Sequence, residues 1–359
     1  MPCCFYVPVC GGSPARADSG RSAARPQNTV HRQRSRLLKN LIFSLNATLP
    51  VFALMVLGYF FYRIRLIDDR AAAWTNRFVF KAALPVLLFR DLATQDFAGT
   101  WDSSFVFFCF AATALSIGII TLLSFLILKD RGKRGEFIQA SYRSSAAILG
   151  IAFISNIYGD TASGMGPLMV IGSVPLYNIF AVLVLTLTAK ESAPEKSGTG
   201  TGNLIKKTLI GIITNPLLIG VFGGLAWSLL GLPMSGVPDK VTDSLASLAT
   251  PLGLMSMGAS FRPGKAMKDL KSALAASFIK LFGLAALFLP LALGLGFAGE
   301  QLVAILVMLG SATTVSCYVM AKNMGHEGTL TSSVVMITTF GCSFSLTLWL
   351  FLLKSMGVI

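Results

Sequence analysis

Residues 136–159, EFIQASYRSSAAILGIAFISNIYG, decide how the rest of the chain is read. A run of this length can cross a bilayer, which takes about 20 residues at ~1.5 Å each. Arg143 stands well inside the apolar run, followed by Ser144 and Ser145, with Gly150 further on. An arginine at membrane depth is costly and faces protein or a water-filled cavity rather than lipid. A second stretch, 300–325, is equally rich in small and hydroxyl residues: Gly310, Ser311, Thr313, Thr314 and Ser316. The two stretches read as a pair of interrupted membrane helices that cross at the centre of the molecule.

Composition agrees with a membrane setting. Apolar residues make up 54% of the 359 and charged residues 13%, against about 25% charged in a soluble protein. The net charge of +14 does not point to nucleic acid. The basic residues lie in short loops and the N-terminal tail, without aromatic interleaving or a soluble domain to form a groove. Cys109, Cys317 and Cys342 fall inside apolar spans, where cysteine packs as a small apolar residue. Cys3, Cys4 and Cys10 lie in the tail, and His31 is too distant and solitary to complete a metal site. His31 and His326 are the two histidines of the chain, too few for zinc or triad chemistry. No metal, cofactor or catalytic constellation is therefore expected, and the chain does not read as an enzyme.

Residues 1–38 are rich in Arg, Ser, Ala, Gly and Pro and read as a disordered basic extension, dispensable to the working protein. Apolar spans follow at roughly 41–62, 71–94, 102–128, 136–157 and 163–189. Residues 190–206 form a polar linker; its GTGTG follows no strand and is not a phosphate loop. Five more spans lie near 207–230, 238–261, 270–297, 301–323 and 328–353. The chain thus divides into a first repeat, 39–189, and a second, 207–354. Pro50 and Pro216 are 166 residues apart, and the same offset relates Gly58 to Gly224, Pro85 to Pro251 and Gly159 to Gly325. Each set holds an odd number of spans, so the second enters the membrane from the opposite side. Such an inverted repeat places a binding site near the midplane, between broken helices. The expected fold is all-α and polytopic: ten transmembrane helices in two inverted five-helix repeats, with helices 4 and 9 broken and crossing.

Lys and Arg concentrate in alternate loops (Arg63, Arg65, Arg70; Lys129, Arg131, Lys133, Arg134; Arg262, Lys265, Lys268, Lys271) and in the linker. The positive-inside rule puts those loops in the cytoplasm and both termini outside a cytoplasmic (inner) membrane. The basic tail alone runs against this orientation.

The segments LPVFALMVLGYFF (49–61), ALPVLLF (83–89), TNPLLIG (214–220) and TPLGLMSMGASF (250–261) resemble the auxin efflux carrier family of membrane transporters, in its bacterial branch. The resemblance runs from about residue 38 to 353. It implies the fold of bile-acid and sodium–proton carriers, with spans 1, 2, 6 and 7 as a dimerising scaffold. Spans 3–5 and 8–10 would form a transport domain. Family members show Arg-x-Asn and then Gly-x-Pro in the fourth span. Here Arg143 and Gly150 match, whereas Ser145 replaces the Asn and Ala152 the Pro, and the ninth span has Thr313 and Thr314 in place of a proline.

The expected substrate-binding residues are Arg143, Ser144, Ser145, Gly150, Ser311, Thr313, Thr314 and Ser316, with Pro50, Pro85, Pro216 and Pro251 as structural hinges. Arg143 would pair with an anion or tie the crossing helices together; the alternative is snorkelling to the cytoplasmic headgroups. The hydroxyls would donate to a carboxylate, or else mark small-residue helix packing. Lys280 is a second buried cation, and Asn156, Tyr158, Tyr177 and Asn178 are polar enough to line a cavity. Asp91, Glu136 and Glu300 all fall near span ends, so no carboxylate is expected at mid-depth and ion coupling is disfavoured. The expected partners are a small organic anion, the lipid bilayer and a second copy of the chain. The leading functional expectation is export of a carboxylate driven by membrane potential. A proton- or sodium-coupled importer of a malonate-like dicarboxylate and a non-transporting ligand sensor are the alternatives.

Overall fold

The structure, a computed structural model, describes residues 49–94, 101–159, 164–189 and 214–359. The expectations for the N-terminal tail and for linker 190–206 fall outside these residues. In chain order the helices are α1 (Leu49–Arg63), α2 (Asp69–Phe78), α3 (Leu84–Ala93), α4 (Ser103–Ile127), α5 (Arg131–Tyr142), α6 (Ile151–Tyr158), α7 (Met165–Thr188) and α8 (Pro216–Leu229). There follow α9 (Gly236–Ser247), α10 (Ala249–Ser260), α11 (Pro263–Lys268), α12 (Leu270–Phe278), α13 (Leu284–Gly294), α14 (Glu300–Gly310), α15 (Ser316–Asn323) and α16 (Thr329–Ser355). Among the described residues there is no strand, only one isolated antiparallel bridge, Ser144 to Thr313.

Among the described residues four helical stretches are long and apolar enough to cross a membrane: α4, α7, Leu270–Gly294 and α16. Their outer faces carry large exposed apolar side chains such as Phe107, Phe110, Leu122 and Phe125 of α4. Those faces suit contact with lipid tails. By contrast most of α7 is enclosed by other helices.

The other stretches are interrupted, and two of the interruptions precede a proline. A π-turn at Val79–Ala83 joins α2 to α3, with the Leu84 N–H reaching back to the Val79 carbonyl, immediately before Pro85. A turn at Leu248 separates α9 from α10, three residues before Pro251. Proline has no N–H and its ring crowds the carbonyl four residues earlier, so the preceding turn must reorganise. Pro216 instead takes the first turn of α8, after Asn215, whose side chain accepts from the Leu217 N–H at 3.0 Å. Pro50 is the second residue of α1.

Two groups of helices result. In one, α3 packs on α8, α10 on α2, and α9 on α3. The contacts there are backbone-close: a methyl on Gly58 would collide with the Met255 carbonyl, and one on Gly224 with that of Phe89. Both pairs, Gly58 with Gly224 and Phe89 with Met255, differ by the same 166 residues found in the sequence.

In the other group α4, α5, α7, α12, α14 and α16 pack together. Two buried carboxylates fasten it. Glu136 of α5 accepts from the Gly328 and Thr331 N–H groups and the Thr331 hydroxyl, at 2.9–3.0 Å, capping α16. Glu300 of α14 accepts from the Met165 N–H at 2.9 Å, capping α7. A helix N-terminus leaves its first amides unsatisfied and carries partial positive charge, so a carboxylate is well matched to it. The acids are 164 residues apart, as are Gly164 and Gly328, the left-handed glycines that precede α7 and α16.

Candidate functional site

Helix α5 stops at Tyr142, and Arg143 takes an extended conformation (φ −75°, ψ 123°). Helix α14 stops at Gly310, and Ser311 is likewise extended (φ −78°, ψ 169°). The two breaks lie against each other. Ser144 bridges Thr313, and the Ser145 N–H donates to the Ala312 carbonyl at 3.0 Å. Further bonds lock the crossing: Thr313 Oγ1 to the Ala140 carbonyl at 2.8 Å, and Gln139 Nε2 to the Cys317 carbonyl at 2.9 Å. The Thr313 N–H donates to Thr338 Oγ1 at 3.0 Å. No proline is needed at either break, because side chains and the opposite strand satisfy the freed backbone groups.

Arg143 does not reach for headgroups. It is 2% exposed, its Nη2 donates to Asn178 Oδ1 at 2.7 Å, and its Nη1 lies against Met320 Sδ. Asn178 is held in turn by its Nδ2 bond to the Val174 carbonyl, at 2.9 Å. The snorkelling alternative is therefore overturned.

A cavity lies between this crossing and the first helix group. Its crossing wall is made by Arg143, Ser144, Ser145, Thr314 and Ser316, and its facing wall includes Asp91 of α3 and Thr250 of α10. Residues Ala146 and Ser316 begin the second halves of the broken helices, so both half-helices direct their N-terminal ends at the cavity. Those ends favour anions. Of the eight expected substrate-binding residues, Arg143, Ser144, Ser145, Thr314 and Ser316 line the cavity. Gly150, Ser311 and Thr313 lie behind it: Gly150 packs on Met169, Ser311 is wholly buried, and Thr313 joins the two breaks.

Sequence reasoning missed Asp91. Its place near the end of an apolar span hid the bend before Pro85, which carries the end of α3 to the cavity. Tyr177 and Asn178 were noticed but unranked; both line the cavity, and the Tyr177 hydroxyl donates to the Met308 carbonyl at 3.1 Å. At the end of α15 the Asn323 Nδ2 donates to the Val319 and Asn76 carbonyls, tying α15 to α2. Cys109, Cys317 and Cys342 are free and buried.

A "Putative malonate transporter" of Rhizobium meliloti (strain 1021) is 24% identical over 323 residues, covering 86% of this chain and 95% of its own. An "Uncharacterized transporter" of Methanothermobacter thermautotrophicus is 22% identical, covering 85% and 97% respectively. The mouse "Lysosomal cholesterol signaling protein" is 23% identical over 238 residues, 63% of this chain but 27% of that much longer one. Residues 43–350 match the family described as membrane transport protein. With that match covering most of its length, the chain belongs to the membrane transport protein family, the auxin efflux carriers, and is a multi-pass integral membrane protein.

Proposed function

We propose that this protein is a secondary carrier of a small organic anion, working by alternating access across the inner membrane. The observation that carries the reading is the cavity lined by buried Arg143, by Ser145, Thr250, Thr314 and Ser316, and by the N-terminal ends of two half-helices. A carboxylate there would meet donors and positive potential from the protein alone. The carrier reading assumes ten spans in two inverted repeats, scaffold spans 1, 2, 6 and 7 pairing with those of a second copy, and cytoplasmic basic loops with both termini outside. The matched offsets at Gly58 and Gly224, and at Glu136 and Glu300, support the repeat. With the inside negative, the potential drives a monovalent anion outward by about 2.3 kcal/mol per 100 mV, so export would need no coupled ion.

A second reading is proton-coupled import of a malonate-like dicarboxylate. It is favoured by the name of the Rhizobium relative and by Asp91, a carboxylate on the cavity wall where a proton could be carried. Reconstitution in liposomes, with mono- and dicarboxylates and separately imposed potential and pH gradients, distinguishes the two. Flux that follows potential and persists in Asp91→Asn supports the exporter. Flux that needs a pH gradient and is lost in Asp91→Asn supports the importer. Absence of any Arg143-dependent carboxylate flux would sink both.

A further inference from the structure

Lys280 lies beside the crossing but on the side away from the cavity wall. It stands on the π-turn Ile279–Gly283 that joins α12 to α13, and it is 0% exposed. Its ammonium donates to the Leu309 carbonyl at 2.7 Å, the Tyr142 carbonyl at 3.2 Å and the Ser144 hydroxyl, and lies 3.5 Å from the Met308 carbonyl. Tyr142 is the last residue of α5, while Met308 and Leu309 belong to the last turn of α14. Their carbonyls are among the C-terminal groups that an α-helix cannot satisfy itself, and both helix ends carry partial negative charge. Among the described residues no carboxylate forms an ion pair with Lys280. Its counter-charge is a cage of carbonyl and hydroxyl oxygens.

Such a cage, at paired half-helix C-termini, is the chemistry with which carriers built from broken helices hold a sodium ion. We propose that Lys280 is a tethered cation that fills a monovalent-cation site at the crossing, making the crossing stable without bound sodium or potassium. The four-carbon stem carries the charge in through the packed helices, so the site is permanently loaded. The inference concerns the integrity of the crossing, and it stands or falls independently of which anion is carried.

The test is thermal unfolding of the detergent-purified protein in sodium, potassium or N-methylglucamine chloride at equal ionic strength. Wild type should unfold at the same temperature in all three; a rise specific to sodium or potassium would overturn the proposal. Lys280→Ala should unfold at least 5 °C lower in N-methylglucamine. It should recover most of that loss with sodium, potassium or propylammonium, the last replacing the deleted atoms. Lys280→Met fills the space without charge, so it should be destabilised and gain nothing from any cation. Failure of every cation to restore Lys280→Ala, or a Lys280→Met protein as stable as wild type, would mean that the lysine is packing alone. If Lys280→Ala cannot be purified, the wild-type comparison and Lys280→Met still decide.

Discussion

The two breaks at the crossing are alike in backbone and unlike in chemistry. The first, after Tyr142, brings its own cation: Arg143 is the residue that ends α5 and also reaches the cavity. The second, after Gly310, brings only hydroxyls, and the lysine beside it comes from the neighbouring span. Arg143 lines the cavity, and Lys280 does not. The cavity is therefore charged unequally, with Arg143 on the wall of the crossing and Asp91 on the wall that faces it; under the proposed carrier reading, an anion would be held from the Arg143 side.

The largest expected effect tests that asymmetry directly. Arg143→Ala should lower carboxylate flux in liposomes about 100-fold, the scale of one lost charge-assisted bond at ~1.4 kcal/mol per decade. Thr314→Ala or Ser316→Ala on the other break should lower it less than about 10-fold, as expected for a neutral hydrogen bond. Equal losses at both breaks would erase the distinction drawn here.

Next come the two carboxylate caps. Glu136→Ala removes an acceptor of three hydrogen bonds from a 2% exposed position and should cost about 3 kcal/mol. Glu300→Ala should cost less, since that site is more open, 9% exposed against 2%. Thermal unfolding of the two variants side by side checks the order.

Smaller still, Gly58→Ala and Gly224→Ala should each destabilise by about 1–3 kcal/mol, because the added methyl must push a backbone carbonyl aside. Their matched positions predict matched losses; a loss at one alone would break the correspondence.

The smallest effect is at the surface, where Lys133 donates to Asp269 at 2.6 Å. That bond raises the Lys133 ammonium above its ordinary 10.5. A group raised on folding stabilises below its unfolded value and loses that contribution as pH climbs through its folded value. The pair is partly exposed and screened by solvent, so Asp269→Asn should cost under about 1 kcal/mol. The difference from wild type should hold at neutral pH and fade in strongly alkaline buffer, as read by unfolding temperature.

Much of this was legible in the residues. Arg143 inside an apolar run, with serines beside it, announced a break, because lipid does not tolerate that sequence as an exposed helix. The offset of 166 pairs Gly58 with Gly224, two positions where helices of the first group meet backbone to backbone, though the sequence alone does not show that they meet there. What stayed hidden depended on approach between distant segments. Glu136 and Glu300 looked like ordinary span ends, since nothing local reveals that a carboxylate caps a helix of the other half. Asp91 near a span end and Lys280 as a buried cation are where the sequence puts them, but what each one faces comes from distant segments, which apolar periodicity cannot show. Ser311 and Thr313 share residue type with cavity-lining serines and a threonine and are told apart only by where the break places them, while Gly150 sits in the helical turn beyond the first break.

The reciprocal carboxylate bonds have a mechanical consequence. Each broken rod is riveted at its outer end to the unbroken rod of the opposite half, and the rods meet head-on in the middle. Neither half can slide or unwind by itself without tearing a rivet. Under the proposed carrier reading, the body would move as one piece, with the slippage falling on the seam where α15 packs on α2 and α10 and α7 packs on α8.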